Sequence, residues 1–301
     1  MTTSGPVPAA AAGSWKLGDL TVNRMGFGTM RLPQTGRAFA PGAAPGDRNR
    51  AITVLRRAVE LGVNHIDTAA FYFSSLLSAN ELINTALAPY PDDLVIVTKV
   101  GPGRDPSGQW LPVVRPDQLR GQVEENLRQL GRGHLDVVNW RHLGGTESLA
   151  GHFGALADLR DSGLIRHLGV SGVTPRQLAE ARAIAPVVCV QNRYRIGASP
   201  EEHQFVDACR DQGIAFVPFF TIAGQGGGAG VTGAEHDEVL AIADVHGATA
   251  AQVRLAWALQ RGEHVLVIPG TGNPDHLDAN VAAAALRLTD EEVARLLSLQ
   301  F

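Results

Sequence analysis

Asp67, Tyr72 and Lys99 form a set that can move a proton. A free tyrosine ionises at about 10, too high for efficient proton donation at neutral pH. A nearby ammonium stabilises the phenolate and lowers that value, and a carboxylate beside the ammonium holds its charge and position. The product is a general acid for a carbonyl oxygen. Arg141 or His142 would then orient the substrate and stabilise developing negative charge. Lys16 and Lys99 are the only lysines among 26 basic residues. A lysine inside an apolar run of so arginine-rich a chain points to an ammonium that arginine cannot replace. The same residues also fit a structural Asp–Lys ion pair with Tyr72 as an anchoring aromatic, and spacing alone leaves both readings open.

These residues fall at the ends of short apolar runs, which must position them. The runs are MGFGTM (25–30), VNHIDT (63–68), LVIVTKV (94–100), LDVVNW (135–140), RHLGVSG (166–172), VVCVQN (187–192), IAFVPFF (214–220) and VLVIPG (265–270). Each is nearly continuous in hydrophobicity and rich in β-branched residues, as strands buried on both faces must be. Helical stripes fill the gaps, at Ile52, Leu55 and Val59 and at Leu119, Val123, Leu127 and Leu130. Capping boxes at Thr174–Gln177, Ser199–Glu202 and Thr289–Glu292 mark helix starts. Eight strands alternating with helices predict an α/β fold, a single closed (β/α)8 TIM barrel over residues 15–301. Its active site would lie at the C-terminal ends of the strands. An open doubly wound sheet is the structural alternative. Residues 1–14 read as a disordered tail.

Composition narrows the function. The chain has 301 residues, is 45% hydrophobic and carries a net charge of −4, which offers no basic face for nucleic acid or anionic membrane. No window approaches the roughly 20 apolar residues of a membrane span. Two cysteines, Cys189 and Cys209, are too few for a disulfide framework or a structural zinc site. The histidines, His65 and His134 among them, lack paired ligand spacing, so no metal is expected. A reduced, cytoplasmic setting follows, with a small-molecule partner and a monomer or weak homo-oligomer.

GVNHIDTAAFY (62–72), with the strand-borne Lys99, resembles the aldo-keto reductase family, and the resemblance covers nearly the whole chain. It implies NADPH-dependent reduction of an aldehyde or ketone, with Tyr72 as the acid and Asp67 and Lys99 as its catalytic partners. It also implies a dinucleotide along the strand ends. Gly28, Thr29 and Met30 of GFGTM, Asp67, and Ser171 of GVSG (169–172) would contact it. Gln191 would hold the nicotinamide amide, and Phe219 would stack on the ring beside Phe220. VIPGTGNPDHLDAN (267–280) resembles the adenosine-phosphate segment, bringing in Ile268, Gly270, Thr271, His276 and Asn280. The runs DDLVIVTKVG, LDVVN, VTPRQLAEAR, VCVQNRY and IAFVPFF are similar to the bacterial pyridoxal-reductase branch, which reduces pyridoxal to pyridoxine with NADPH.

Several positions depart from the family pattern. The family's histidine position falls on Arg141, with His142 one further, and neighbouring strand residues face opposite sides. Arginine there suits an anionic or phenolate-bearing substrate. Gly172 replaces an asparagine, removing one amide from the nicotinamide clamp. Phe73 replaces a glycine, and the apolar 74–80 that follows should line the substrate mouth, with Trp110 and Trp140 available to stack on a flat ring. Gly270 and His276 stand where many relatives carry Lys and Arg. The 2′-phosphate would then rest on the Thr271 hydroxyl, backbone amides and a helix N-terminus, with NADPH still favoured over NADH. GAGVTG (228–233) satisfies Gly-x-Gly-x-x-Gly but lies in a long glycine-rich loop, not at a strand-to-helix turn. That loop reads as a cover for the cofactor or as a spacer. Two alternatives keep the barrel: a cofactor-binding sensor with little turnover, and a non-redox dehydratase or epimerase using Tyr72 and Lys99.

Overall fold

The computed structural model describes residues 7–40, 43–144, 147–223 and 236–299. Strands β1 (Ser14–Leu17) and β2 (Leu20–Asn23) pair as an antiparallel hairpin. Seven strands then pair in parallel and in chain order: β3 (Phe27–Gly28), β4 (His65–Asp67), β5 (Val95–Val100), β6 (Leu135–Arg141), β7 (Ile165–Ser171), β8 (Val187–Gln191) and β9 (Ala215–Phe216). The eighth expected run closes the ring through single bridges. Val265 pairs with Phe216 and Val267 with Met25, both in parallel. The closed order is that of a (β/α)8 barrel, and it removes the open-sheet alternative. Pro218, with no N–H to offer a ladder, limits the seventh run's strand, which ends at Phe216.

Ten helices among the described residues sheathe the barrel: α1 (Arg48–Glu60), α2 (Ala79–Leu87), α3 (Leu119–Leu130), α4 (Ala150–Asp161), α5 (Pro175–Ile184), α6 (Pro200–Asp211), α7 (Asp237–Val245), α8 (Ala250–Gln260), α9 (Pro274–Ala282) and α10 (Asp290–Ser298). The three expected capping boxes form at α5, α6 and α10, and a fourth, Thr249–Gln252, opens α8. Each such cap contributes about 1 kcal/mol by satisfying amides that the helix leaves unbonded.

Two apolar layers result. Val95, Val97, Val137, Cys189, Ala215, Val217 and Leu266 fill the barrel, and Leu17 and Val22 of the hairpin plug its floor. Ile66, Ile96, Val138, Trp140, Leu168 and Val190 face outward into the helix layer. No helix among the described residues is long and apolar enough to cross a membrane. The disordered tail expected through residue 14 is corrected over its second half. Ala9–Ala12 winds as a 3-10 turn, the Ala9 amide donates to Leu61 O at 2.8 Å, and β1 begins at Ser14. Small alanines let this turn pack against the end of α1. Residues 1–6 lie outside the described residues.

Candidate active site

Side chains alternate along a strand, so every second residue enters the barrel. On β5 the inward series is Val95, Val97, Lys99; on β6 it is Val137, Asn139, Arg141; on β8 it is Cys189, Gln191. Asp67 ends β4 and Ser171 ends β7. Each series turns from apolar to polar at the C-terminal end of its strand. The register seats Gly28 beside Asp67, Arg141 beside Ser171, and Ser171 beside Gln191. A polar ring therefore caps an apolar barrel.

Asp67 is the hub of that ring. Its Oδ1 accepts from Lys99 Nζ at 2.6 Å, and its Oδ2 accepts from Gln191 Nε2 at 2.7 Å. Lys99 also donates to Thr68 O at 3.0 Å and is only 4% exposed. Burial alone would lower the ammonium's pKa, but the Asp67 carboxylate and the Tyr72 oxygen outweigh it and raise the net value. Lys99 Nζ lies 4.9 Å from the centroid of the Tyr72 ring. The expectation of a lowered Tyr72 pKa is corrected. Burial raises it most, and the charge and hydrogen bond of Lys99 recover only part of that rise. Tyr72 thus rests as a protonated phenol beside a charged ammonium.

Arg141 and His142 separate as strand parity requires. The Arg141 guanidinium enters the cavity, donates to Ser171 Oγ at 3.1 Å and lies 4.9 Å from the Phe219 ring centroid. Burial lowers its pKa, while Tyr72 and Asp67 push the other way. His142 turns outward, its Nε2 3.2 Å from Gln177 Nε2 on α5. Gly172 has a φ of +73°, and a Cβ there would meet His142 O at 2.4 Å and Arg141 Nη1 at 2.8 Å. No side chain fits at that position in this structure. Asn192 holds the turn instead, its Oδ1 accepting from the Gly172 and Val173 amides.

A cavity of about 870 Å³ runs from Tyr72 to the start of α9, a size that suits a cofactor together with a small substrate. Of the expected cofactor residues, Gly28, Met30, Asp67, Ser171, Gln191, Phe219, Phe220, Ile268, Gly270, Thr271 and His276 line it. Gly28 and Gly270 lie back to back: a Cβ on Gly28 would meet Ile268 O at 2.7 Å, and one on Gly270 would meet Gly28 O at 2.4 Å. Their bare backbones leave a smooth cradle in which the residues present fit a nicotinamide dinucleotide. Trp110 lines the other end, with its ring centroid 5.2 Å from Phe39 and 5.7 Å from Phe71.

Five expected contacts lie elsewhere. Thr29 is buried, its hydroxyl and amide both donating to Asp67 O, so it braces the end of β4. Asn280 is buried within α9, away from the cavity wall. Phe73 packs under the Arg104 guanidinium at 4.7 Å and lines a neighbouring cleft. Trp140 faces outward and stacks on His152 at 4.3 Å, because its position on β6 has the outward parity. His142 is the fifth, for the same reason. Sequence reasoning missed Phe39, Phe71, Arg31, Gln34 and Arg50 in the wall, all on or beside loops that carry no strand parity to reveal them. It also missed Arg104, which donates to Phe71 O and Phe73 O and fixes the aromatic rim. The glycine-rich 228–233 lies outside the described residues.

A closed parallel barrel with a buried Asp–Lys–Gln ring and a tyrosine over its mouth is the architecture of a carbonyl-reducing enzyme. The chain belongs to the aldo/keto reductase family, whose model matches residues 24–300, and it is an oxidoreductase. It is 44% identical to pyridoxine 4-dehydrogenase of Escherichia coli K12, covering 95% of this chain and 98% of that one. It is 36% identical to an uncharacterized oxidoreductase of Schizosaccharomyces pombe, over 97% and 92%. Among solved structures, a thermostable aldo-keto reductase in complex with the inhibitor epalrestat superposes with a TM-score of 0.77 at 28% identity, over 95% of this chain and 98% of that chain. An aldo-keto reductase from Klebsiella pneumoniae in complex with NADPH gives 0.75 at 25% identity, over 92% and 90%.

Proposed function

We propose that this protein reduces a flat aromatic aldehyde of the pyridoxal type to its alcohol, with NADPH as reductant and Tyr72 as proton donor. The observation that carries the reading is the buried Asp67–Lys99 pair beneath the protonated Tyr72, with Arg141 in the same cavity. Bound dinucleotide supplies a hydride; Gly28, Ser171, Gln191, Phe219, Ile268, Gly270 and Thr271 line the space it would take. Tyr72 Oη gives its proton to the carbonyl oxygen, and Lys99 beside it stabilises the phenolate that is left. Asp67 keeps Lys99 charged and in place. Arg141, held by Ser171 and Phe219, offers a permanent cation to the carbonyl oxygen or to a phenolate on the ring. Phe39, Phe71 and Trp110 give that ring flat apolar walls and exclude water. Both cysteines are free and buried, which suits a reducing, cytoplasmic setting for this reaction.

The test is NADPH consumption with pyridoxal beside a plain aromatic aldehyde, for the wild type and Tyr72→Phe. Turnover of pyridoxal, with Tyr72→Phe slower by roughly 100- to 10,000-fold, is expected. An undiminished Tyr72→Phe rejects Tyr72 as the acid. Turnover of the plain aldehyde alone rejects the pyridoxal assignment.

A further inference from the structure

Gly270 and His276 leave the 267–280 wall of the cavity without a permanent cation. The helix terminus beside them is already largely engaged. The Asn273 amide donates to Thr271 Oγ1 at 3.0 Å, Pro274 has no amide hydrogen, and the Asp275 amide donates to Asn273 Oδ1 at 3.2 Å. A phosphate monoester carries between one and two negative charges near neutral pH and binds best through charge-assisted donors. On this wall it would find few.

The facing wall supplies them. Arg31 and Arg50 line the same cavity as Thr271, Asn273 and His276, and Arg31 Nη1 also donates to Gly36 O. A Cβ on Gly272 would sit 3.7 Å from Arg31 O, so the two walls meet there. Helices α1 and α9 lie side by side, tied by Arg57 Nε to Asp278 Oδ1 at 2.9 Å. Two turns before Arg57 on the same face of α1 lies Arg50, and Thr271 sits in the loop that leads into α9. The segment between β3 and α1 is pinned: Gln34 bridges Pro45, the Thr35 amide donates to Ala44 O, and the Gly46 amide donates to Pro33 O. Gln34 is 3% exposed, and its Nε2 is a buried donor with no hydrogen-bond partner among the described residues. Packed into the fold in this way, Gln34 props the loop that carries Arg31. Asp47 also lines this end, with its Oδ1 accepting the Arg50 amide at 2.9 Å as the cap of α1. Its negative charge makes a cation beside any bound phosphate more necessary.

We propose that Arg50, with Arg31, holds the 2′-phosphate of the dinucleotide, so that selectivity for NADPH resides on the α1 wall. This rests on the NADPH-dependent reading above and assigns the residues that select the cofactor. Isothermal titration calorimetry with 2′,5′-ADP and with 5′-AMP isolates the phosphate and needs no turnover. The wild type should bind 2′,5′-ADP the more tightly. Arg50→Ala should weaken 2′,5′-ADP by roughly tenfold and the R31A/R50A variant by roughly a hundredfold, with 5′-AMP changed by less than about twofold. Equal wild-type affinity for the two nucleotides, or a preference retained by R31A/R50A, overturns the proposal. Carbonyl reduction survives either outcome and fails separately, if neither NADPH nor NADH is consumed with an aldehyde. Arg50 is exposed in the first turn of α1, and an unchanged melting temperature verifies that the variant is folded.

Discussion

Replacing Asp67 with asparagine puts the central electrostatic claim at risk. The carboxylate accepts from two donors at once, Lys99 Nζ at 2.6 Å and Gln191 Nε2 at 2.7 Å. Asparagine keeps one acceptor oxygen and turns an NH₂ toward the other donor, so one of the two bonds becomes a donor–donor contact. Lys99 then stays 4% exposed, with only the uncharged Thr68 O and Tyr72 oxygen beside it. Stranding one member of a buried ion pair costs about 3–5 kcal/mol. At roughly 2–4 °C per kcal/mol for a chain of this size, the melting temperature should fall on the order of 10 °C. The strain has one outlet: Lys99 gives up its proton, the direction in which burial already presses it. Tyr72 then loses the ammonium that holds its phenolate, and its pKa climbs further. Alcohol oxidation, which needs the phenolate as base, should therefore suffer more than aldehyde reduction, and the gap should widen below roughly pH 9. Melting curves and rates in both directions across pH measure this. An Asp67→Asn protein that melts within about 2 °C of wild type, with both pH profiles unmoved, refutes the reasoning. The D67N/K99M double variant should be less unstable than the two single losses added together, because removing both partners leaves no orphaned charge.

Arg141→Met, close in length and without charge, should raise KM by roughly tenfold for an aldehyde bearing a phenolate and by much less for plain benzaldehyde; equal effects on both would remove the charge contact. With its pKa raised, Tyr72 stays protonated beyond the ordinary tyrosine value, so reductive kcat/KM should be level through neutral pH and fall only in strong base, while the oxidative rate climbs with pH over the same range. Burial holds the His65 imidazole down at a pKa of about 4, below its ordinary value of about 6.5. An unfolded chain therefore binds a proton that the folded one refuses. Stability is fully present above about 6.5 and is lost by about 3 kcal/mol as pH falls toward 4, a slope that His65→Leu should flatten in urea titrations.

The barrel was legible because the strands fall in short apolar runs and five of the helices show a stripe or a capping box in the sequence. The deep half of the site was legible for a related reason. A residue at a strand's C-terminal end has its direction fixed by the residues two and four places before it. Val95 and Val97 belong to the barrel interior, so Lys99 must enter it too. The outer half rests on segments with no such period. Phe39 sits at a φ of 63° in the loop between β3 and α1, and Arg104 reaches Phe71 and Phe73 across more than thirty residues of chain. Neither the turn geometry nor the long reach leaves a pattern in hydropathy, so the wall they build emerges only from the fold.

Parity also settles two residues that looked alike from the sequence. Trp140 and His142 follow Asn139 and Arg141 by one place each, and the sequence offers both to a substrate at the end of the fourth barrel strand. On β6 the inward places are 137, 139 and 141, and Val137 is fixed by the barrel interior. The even-numbered places must then leave. Trp140 does so onto His152, and His142 onto Gln177. For His142 to replace Arg141 in the site, the strand would need a bulge between 137 and 142. Its regular pairing with β7 from Val137 through Arg141 shows none. The cation that enters the cavity is therefore chosen by Val137, four residues and two pleats below it.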